Sequence, residues 1–503
     1  MARTFQTATV CDDIICVLQT DEVAEVRLKP KSYGQNPDGA PSRLDLTKVF
    51  IVVGAAAALV ATWFVTNPTA GSNTAGSNVS ARGASAGTAR AGASSQSSSG
   101  SGSANSQAHV SSTATHYTPP IVNGIPFAWT DPQGTVPPSG AVEPPSSIPA
   151  NCSADVTSEL QTWFDSLPKG SVVFSAPDSC YLINEGLNFM HPNWGLTIDG
   201  GTFVMQGWGR ISRIGLNVFG GKDVTFENLA IIGPALHHVY DKRVAFQAGI
   251  ELQGTVNAVI DNVKIFDVRG DGITLLPERY LVIDGNLGGG GGIIRPVENL
   301  TVNNVTVNGA GRMGVSFSGV AGANLTKILV KNVHFDDFDF EADNGDEGAS
   351  NVTINGCSVG GQGFLFVANK GNGFGQYTYD NTIENCTMTN RQDGMAVLVE
   401  DPPGSKDPRG PFYFLNDNLW CGNSSEVECV IMERADVSFT NCNFKFKWTP
   451  PEPVYWIEED SHITFTNVTA KNFSRLGAVG GGSTVTIQGG TWESYGQVHK
   501  LKK

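Results

Sequence analysis

The feature that most constrains this 503-residue chain is a short motif that recurs from residue 200 onward. Each copy reads apolar-x-apolar-x-Asn-apolar-x-apolar with Asn or Gly at its centre, as in VTFENLAI, LTVNNVTV and ITFTNVTA. The central residues are Gly200, Asn228, Asn262, Asn304, Asn332, Gly356, Asn385, Asn418, Asn441, Asn467 and Gly489. They lie 22 to 42 residues apart. The shortest spacings match one coil of a β-helix, and loops inserted into individual coils explain the longer ones.

The motif predicts strands that stack in one direction and meet at an asparagine turn. Alternation along each strand points one set of side chains inward and the other outward. A recurring turn asparagine can bond its amide to the asparagine of the next coil, which satisfies turn backbone that would otherwise be buried unpaired. Cys357, Cys386 and Cys442 each follow a central residue, so we expect them to pack in an inward column. A β-sandwich would need hairpins with two-residue turns, and propeller blades repeat at 40 residues or more.

A further strand follows each asparagine turn after a loop. These strands read GIELQG (249–254), GITLLP (272–277), GVSFSG (314–319), DFDFEA (337–342), GFLFVA (363–368) and GMAVLV (394–399). Stacked in register, they would form one long parallel sheet. Before the first coil, residues 154–164 (ADVTSELQTWF) have helical spacing and would cap the open N-terminal end of the stack.

The expected architecture of residues 120–503 is therefore all-β: a right-handed single-stranded parallel β-helix with an N-terminal capping helix. Three segments are expected to precede it. Residues 1–48 resemble a disordered cytosolic tail, 49–66 a transmembrane signal-anchor helix, and 67–119 a flexible linker rich in Ser, Gly and Ala.

The membrane prediction rests on Val49–Val65, which is 17 residues without a charge. That length just crosses a hydrocarbon core of about 30 Å. Arg43 and Lys48 directly precede it, so the positive-inside rule places the N-terminus in the cytosol and the β-helix domain outside. A cleaved signal peptide is the competing interpretation, although such peptides lack a 48-residue leader.

Composition limits the partners. Asp and Glu outnumber Lys and Arg by 48 to 33, and the basic residues are scattered, which disfavours nucleic acid. Nine cysteines are present, and those after the anchor would meet an oxidising compartment. Cys152 with Cys180 and Cys421 with Cys429 are plausible disulfides. Spacing typical of a structural zinc site is missing from the sequence.

The segment ADVTSELQTWFDSLPKGSVVFSAPDSCYLINEGLNF, followed by GLTIDGG, resembles the entry segment of the pectate-lyase-like β-helix superfamily. That superfamily includes polysaccharide lyases, polygalacturonase-type hydrolases and phage tailspike depolymerases. The resemblance covers roughly residues 150–495 and implies a parallel β-helix that acts on or binds a polysaccharide; tailspike-like relatives imply a trimer as the alternative to a monomer. The polygalacturonase signatures Asn-Thr-Asp, Gly-His-Gly and Arg-Ile-Lys are absent from the sequence, so that enzyme's residue roles are not carried over.

Two carboxylates are the strongest catalytic candidates. Alternation turns Phe338 and Phe340 inward and leaves Asp339 and Glu341 facing solvent. Two residues along a strand span about 6.5 to 7 Å, within the carboxyl separation of inverting glycosidases, about 6.5–9.5 Å. Arg312, one coil earlier, could pair with Asp339, hold a uronate carboxylate, or serve as the base of a lyase. An ordinary solvated acidic surface is the competing interpretation.

Other residues near this face are candidates for substrate binding or metal binding. The substrate-binding candidates are Glu251, Arg269, Asp271, His237, His238, Tyr240, Lys370, Tyr377 and Tyr379. Aromatic side chains stack on sugar rings, and mixed aromatic and charged loops beside carboxylates suit glycan binding. Asp343 lies on the same line as the catalytic pair and could join it in binding calcium.

Three functional hypotheses follow. The first is a membrane-anchored extracytoplasmic protein that binds and hydrolyses a polysaccharide and requires no cofactor. The second is a calcium-dependent polysaccharide lyase with Arg312 or Lys370 as base. The third is a non-catalytic surface protein that binds a glycan or another partner through the same face.

Overall fold

The computed structural model describes the β-helix from residue 137 to 494, together with a few short strands outside this span. The other described residues are 10–11, 14–15, 121–122, 125–126 and 497–499; the gaps within the main span are 191–194, 207–213, 235–239, 241–246, 279–294, 343–347, 362, 370–377, 389–395, 400–408, 422–428 and 447–452.

Three long sheets run the length of the described β-helix, and successive strands of the chain pass from the first sheet to the second and then the third. The first sheet contains Val172–Phe174, Thr197–Asp199, Thr225–Glu227, Val259–Asp261, Val297–Asn303, Gly319–Thr326, Gly348–Asn355, Asn381–Glu384, Arg409–Leu415, Ala435–Thr440, His462–Thr466 and Thr484–Gln488. The second contains Asn151–Asp155, Cys180–Leu182, Thr202–Val204, Ala230–Ile232, Lys264–Phe266, Thr306–Asn308, Leu329–Lys331, Ser358–Gly360, Thr387–Met388, Asn418–Cys421, Asn443–Phe446, Thr469–Phe473, Thr491–Ser494 and Gln497–His499. The third contains Leu187–Met190, Leu216–Phe219, Ile250–Gln253, Ile273–Leu276, Val315–Phe317, Asp336–Ala342, Gly363–Asn369, Val397–Val399, Val430–Glu433, Tyr455–Glu458 and Gly477–Val479.

Parallel pairing between successive coils confirms the predicted β-helix. In the third sheet, for example, Val315 of one coil pairs with Phe338 of the next. Only the last strand of the second sheet, Gln497–His499, pairs antiparallel to its neighbour among the strands of these three sheets. Hairpin-paired sheets, as in a sandwich, are therefore excluded for the described coils.

The core is a set of inward columns in which like side chains stack from coil to coil. Phe338 and Phe340 are fully buried, as the alternation predicted. The rings of Phe317 and Phe340 stack with centroids 4.5 Å apart, and those of Phe414 and Phe439 with centroids 4.6 Å apart. Fully burying one large apolar side chain contributes about 1.5–3 kcal/mol, so these columns hold the coils together.

Asparagine turns join the first sheet to the second, and most lie where the motif placed them. Asn228, Asn262 and Asn304 have positive φ values of 54°, 52° and 53°. Their amides form the expected ladder: Asn262 Nδ2 donates to Asn228 Oδ1 at 2.8 Å, and Asn304 Nδ2 to Asn262 Oδ1 at 3.0 Å. Asparagine suits these positions because it tolerates left-handed backbone and carries both a donor and an acceptor.

Two turns are shifted from their predicted positions. Where we expected Asn332, Lys327 has the left-handed backbone between the first and second sheets (φ 55°), and Asn332 instead follows the Leu329–Lys331 strand and donates to Asn308 Oδ1 at 2.8 Å.

At the second shifted turn we expected Asn418 at the centre, but Asn416 has the left-handed backbone (φ 59°) and donates to Asn385 Oδ1 at 3.3 Å. Asn418 instead begins the Asn418–Cys421 strand. The segment FLNDNLW offers an asparagine at both positions, and pairing with the neighbouring coils selects the first.

The predicted capping helix is present as Thr157–Ser166, beginning three residues later than expected. Its first turn is fixed by Asp155, whose carboxylate accepts a hydrogen bond from the Thr157 backbone N–H at 3.0 Å. The helix buries Leu160 and Phe164, and Gln161 bonds the backbone of the Leu187–Met190 strand. It therefore covers core at the first strand of the third sheet, as a cap should.

Disulfides join Cys152 to Cys180 and Cys421 to Cys429, the two pairs that the sequence indicated. A third pair, Cys357 with Cys386, links neighbouring coils at positions where we expected only packing. Cys442 is a buried free thiol. The third disulfide was missed because the inward column that brings like residues together also brings two sulfurs within bonding reach.

The chain divides into two compact units, Met1–His109 and Val110–Lys503. In the first unit the structure describes one antiparallel pair, Val10–Cys11 with Ile14–Ile15. The predicted membrane segment, residues 49–65, lies outside the described residues, and within those residues no helix is long and apolar enough to cross a membrane. The boundaries at 48, 66 and 119 stay predictions.

Asp417 is a carboxyl group inside the β-helix. It follows the Asn416 turn in the inward column, next to Cys386 in the preceding coil, and it is buried. The Cys386 N–H donates to Asp417 Oδ1 at 2.7 Å, while Oδ2 has no hydrogen-bond partner among the described residues. Burial raises the pKa of Asp417 to about 8, so the folded protein holds a proton there at neutral pH.

We predict that Asp417 makes stability fall as pH rises. In an unfolded chain its pKa is near 3.8, so between about 4 and 8 the folded state binds a proton that the unfolded state has released. Stability from this group is greatest at low pH and is lost towards pH 8. Asp417→Asn, which keeps the acceptor for the Cys386 N–H, should flatten the decline. The measurement is the thermal midpoint at pH 5, 6.5 and 8. An Asp165→Asn variant on the exposed helix surface should keep the parental profile, and a parental slope in Asp417→Asn would contradict the assignment.

Candidate active site on the third sheet

A row of polar side chains follows the outer face of the third sheet, one from each coil. In pairing order the row contains Asn188, Asn217, Glu251, Thr274, Ser316 and Asp339. This is the alignment that the sequence predicted for Glu251 through Asp339. Neighbouring members are one strand spacing apart, about 4.8 Å, so Glu251 and Asp339 are separated by about 14 Å.

Asp339 is buried, which corrects the prediction that it faces solvent. Asp339 is 0% exposed, although it alternates along the strand with the inward-facing Phe338 and Phe340. The charged groups that interact with it are Glu341, Arg312, Asp271 and Asp336. The prediction considered only alternation along one strand, and it left out side chains that neighbouring coils and turns place over that strand.

The Asp339 carboxyl is only half satisfied. Ser316 Oγ donates to Oδ2 at 3.4 Å, and Oδ1 has no hydrogen-bond partner among the described residues. Burial raises the pKa of Asp339 well above its usual range, and the nearby Glu341 raises it further, whereas Arg312 opposes the shift. Asp339 therefore holds a proton more readily than an exposed aspartate does.

Arg312 lies at the centre of the carboxylates. Its Nε is 3.6 Å from Asp271 Oδ1, and its Nη2 is 4.0 Å from Glu341 Oε2. The side chains of Arg312 and Glu341 are 15% and 13% exposed, so these two are the parts of the cluster that reach solvent. The Asp271 carboxylate raises the pKa of Arg312 further, which disfavours its predicted role as the base of a lyase.

Asp271 and Glu251 extend the acidic cluster towards earlier coils. Asp271 is buried and accepts hydrogen bonds from the Met313 N–H and from Thr274 Oγ1, both at 3.2 Å. Burial raises its pKa, and Arg312 opposes the increase. Burial also raises the pKa of Glu251 to about 7, while a hydrogen bond from Gln253 opposes the shift.

An aromatic group adjoins the cluster and was only partly foreseen. Tyr240, a substrate-binding candidate, stacks on His334 with ring centroids 5.4 Å apart and meets Phe335 edge-on at 4.9 Å. The Phe335 N–H donates to the carbonyl of Arg312 at 3.0 Å, which ties this group to the charged centre. Burial lowers the pKa of His334, so the ring tends to be neutral. His334 and Phe335 end the motif copy centred on Asn332, but the motif does not indicate this contact, and only the fold brings Tyr240 to them.

The remaining candidates are divided by position. Arg269 is buried, so its side chain is not exposed to a substrate on the third sheet. Tyr379 pairs with Ser350 beside the first sheet rather than rimming the third. His237, His238, Lys370, Tyr377 and the metal candidate Asp343 lie outside the described residues. Within the part of the chain that is described, no group of three or more His, Cys, Asp or Glu side chains could hold a metal ion.

We predict that Arg312→Met destabilises the protein by about 3–5 kcal/mol at pH 8, because it leaves buried Asp271 and Asp339 without a compensating charge. At pH 5 the penalty should shrink, since the raised pKa values of both groups let them take up protons. Urea unfolding at the two pH values measures the difference. Arg434→Met is the control: its partner Glu459 is exposed, so the loss should stay near 0–1 kcal/mol. An equal loss in both variants would contradict a buried charge cluster.

Comparison with known proteins gives structural neighbours only. No protein-family model matches the sequence, and no curated protein matches it. Similar solved structures include the pre-mature gene product 12 of bacteriophage phi29 (14% identity, TM-score 0.44, 67% of this chain and 50% of that one). The catalytic unit of a GH87 α-1,3-glucanase from Streptomyces thermodiastaticus has 14% identity and a TM-score of 0.40 over 72% of this chain and 70% of that one. The A-module of the Azotobacter vinelandii mannuronan C-5 epimerase AlgE6 has 10% identity and a TM-score of 0.40 over 69% and 96%.

Similarity at this level concerns the fold, and this chain spans half the length of the phage protein. The architecture itself is established by the parallel register of the chain's own strands. The chain is therefore a parallel β-helix protein, with the fold that its resemblance to the pectate-lyase-like superfamily implied.

Proposed function

We propose that this protein is a carbohydrate-active β-helix protein that hydrolyses a polysaccharide at the third sheet. The observation that carries the proposal is the cluster of buried Asp271, buried Asp339 and partly exposed Glu341 around Arg312, with one Asp339 oxygen lacking a hydrogen-bond partner among the described residues. A buried polar group without a partner costs about 1–3 kcal/mol. Carboxyl groups whose pKa is perturbed by burial and by a specific charge partner are candidates for a functional site.

The two carboxyls of the Asp336–Ala342 strand differ in the way that acid–base hydrolysis requires. Asp339, with its raised pKa, is the proton donor to the glycosidic oxygen. Glu341, paired with Arg312, is the carboxylate that takes a proton from water. The water oxygen bonds to the anomeric carbon as the bond to the leaving oxygen breaks. Positions two apart on a strand have Cα atoms about 6.5 to 7 Å apart, a spacing compatible with the carboxyl separation of an inverting reaction, about 6.5–9.5 Å.

Burial of Asp339 adds a requirement and favours a second candidate function. Glu341 and Arg312 reach solvent, but the Asp339 carboxyl is buried, so a glycan must displace the groups that cover it before it can receive the proton. A protein that only binds glycan through this face has no such requirement. The binding protein is therefore the second candidate.

The calcium-dependent lyase is less well supported. Arg312 is committed to carboxylates and does not serve as a base. The other residues that the lyase hypothesis requires, Lys370 and Asp343, lie outside the described residues. Elimination would also require a substrate uronate next to Glu251, Asp271, Asp339 and Glu341, with Arg312 already paired. We therefore propose an uncharged polysaccharide as the substrate class.

Membrane anchoring is proposed from the sequence alone. The uncharged segment at residues 49–65 and the basic residues before it support a single-pass protein whose β-helix lies outside the cytosol. The tract of Ser, Gly and Ala that follows supports a flexible tether. Protease treatment of intact cells, followed by detection of the β-helix in the medium, tests this arrangement.

We predict that the β-helix releases reducing ends from at least one neutral polysaccharide and forms no ultraviolet-absorbing unsaturated product. Asp339→Asn and Glu341→Gln should each lower kcat by about 10²–10⁴-fold, the usual contribution of acid–base groups, and leave binding in place. Glu227→Gln is a matched control, because Glu227 is a half-buried carboxyl on the first sheet whose pKa is also raised by burial.

Three outcomes discriminate the candidates. Unsaturated products would establish elimination and contradict hydrolysis. Binding without turnover in the parent protein would establish the binding protein instead. Full activity in both Asp339→Asn and Glu341→Gln would remove the assignment of the catalytic pair.

A further inference from the structure

A second polar surface lies on the outer face of the first sheet. Its three central strands, Val297–Asn303, Gly319–Thr326 and Gly348–Asn355, are longer than most strands of this sheet. An open groove of about 600 Å³ runs over them. Among the residues that line it are Asn299, Thr301, Asn324, Asn351, Thr353 and Glu384.

Because the strands of successive coils pair in register, these side chains lie in rows that run across the coils. Thr301 pairs with Asn324, Asn324 with Thr353, and Thr353 with Thr382. The row continues to Tyr413 in the next coil. Hydroxyl and amide groups therefore repeat at about 4.8 Å along the groove, which is the coil spacing.

Two of the rows along the groove differ in how their polar groups are used. In the row two residues further along each strand, side chains bond one another: Thr326 Oγ1 donates to Asn303 Oδ1 at 2.8 Å, and Asn355 Nδ2 donates to Glu384 Oε1 at 2.6 Å. In the Thr301 row, no such bond between side chains is found among the described residues. Those hydroxyl and amide groups remain available to a ligand, and Leu300 and Ala323 beneath them are buried.

Two exposed tyrosines stand near the Thr353 end of the groove. Tyr413 lies two coils beyond Thr353 in the row and is 37% exposed, and Tyr379 pairs with Ser350 and is 38% exposed. Few large apolar side chains of the described chain are as exposed as these two. A tyrosine ring offers an apolar face to a sugar ring and a hydroxyl to its substituents.

We propose that this groove is a binding surface for an uncharged glycan chain that runs across the coils from Thr301 towards Tyr413. Amides and hydroxyls match the donors and acceptors of sugar hydroxyls, and the tyrosines supply stacking. The carboxylate of Glu384 already accepts a hydrogen bond from Asn355, and among the described residues that line the groove there is no Lys or Arg, so this lining does not favour an anionic polymer. A protein partner would require a buried apolar centre, which the groove lacks.

The groove is separate from the carboxylate cluster but shares coils with it. Gly319–Thr326 of the groove and Asp336–Ala342 of the cluster belong to the same turn of the β-helix, on different sheets. A polymer bound to the groove is thereby kept near the third sheet, and the second contact raises its effective concentration there. The binding proposal does not depend on hydrolysis and is tested without it.

The test uses the full-length protein carrying Asp339→Asn and Glu341→Gln, so that bound polymer is not turned over. Affinity electrophoresis against laminarin, dextran and galactomannan, with polygalacturonate as the anionic comparison, measures binding. We expect retardation by at least one neutral polysaccharide. Tyr413→Ala and Thr353→Val should each weaken it about three- to tenfold, as expected for loss of a stacking contact or of one hydrogen bond.

Thr464→Val is the matched control, because Thr464 lies in the same row two coils beyond Tyr413 and outside the groove. It should bind like the parent. Failure to bind any neutral polysaccharide, preference for polygalacturonate, or parental binding in both groove variants would each overturn the proposal. If groove variants lose binding while the active-site pair proves dispensable for turnover, only the hydrolase assignment fails.

Discussion

In-register pairing of successive parallel strands is the constraint on which the rest of this structure depends. Each coil contributes one strand to each sheet, so a side chain always meets its counterpart about one strand spacing away. Inward positions therefore become columns, such as Phe317 on Phe340. A slip of one residue would turn every inward side chain outward, so length variation is confined to the loops between strands.

The same register concentrates polar groups on the outside. Towards the earlier coils, the row continues from Asp339 to Ser316 and Thr274, which are not acidic, and the next acid in the row is Glu251. Like charges at one strand spacing would repel strongly when shielded from water. The acids that do approach Asp339 come from its own strand and, in the case of Asp271, from the segment before the Ile273–Leu276 strand two coils earlier; Arg312 lies among them. The cluster therefore forms where residues from turns lie next to a strand of the third sheet, and the alternation pattern of one strand does not predict it.

The repeat fixes what could be predicted from the sequence. Its spacing gave the parallel coils, the burial of Phe338 and Phe340 and the asparagine ladder, because these depend only on periodicity. Contacts that depend on which turn overlies which strand were not predictable in this way, and Asp339 was accordingly expected to face solvent. The turn at Asn416 was missed because Asn416 and Asn418 both satisfied the pattern. The disulfide between Cys357 and Cys386 was missed because the pattern describes the positions of side chains and not the bonds between them.

Burial raises the pKa of both Asp339 and Asp417, although one carboxyl lies on the outer face of a sheet and the other lies inside the β-helix. Asp417 points into the core, where one N–H is its partner and no glycan can reach it, so its proton matters for stability. Asp339 lies on the outer face of the third sheet, interacts with Arg312 and Glu341, and belongs to the same turn of the β-helix as the groove on the first sheet. Burial alone therefore does not distinguish a structural carboxyl from a catalytic one. Location does: only the carboxyl on an outer face, beside groups that reach solvent, can exchange its proton with a bound polymer.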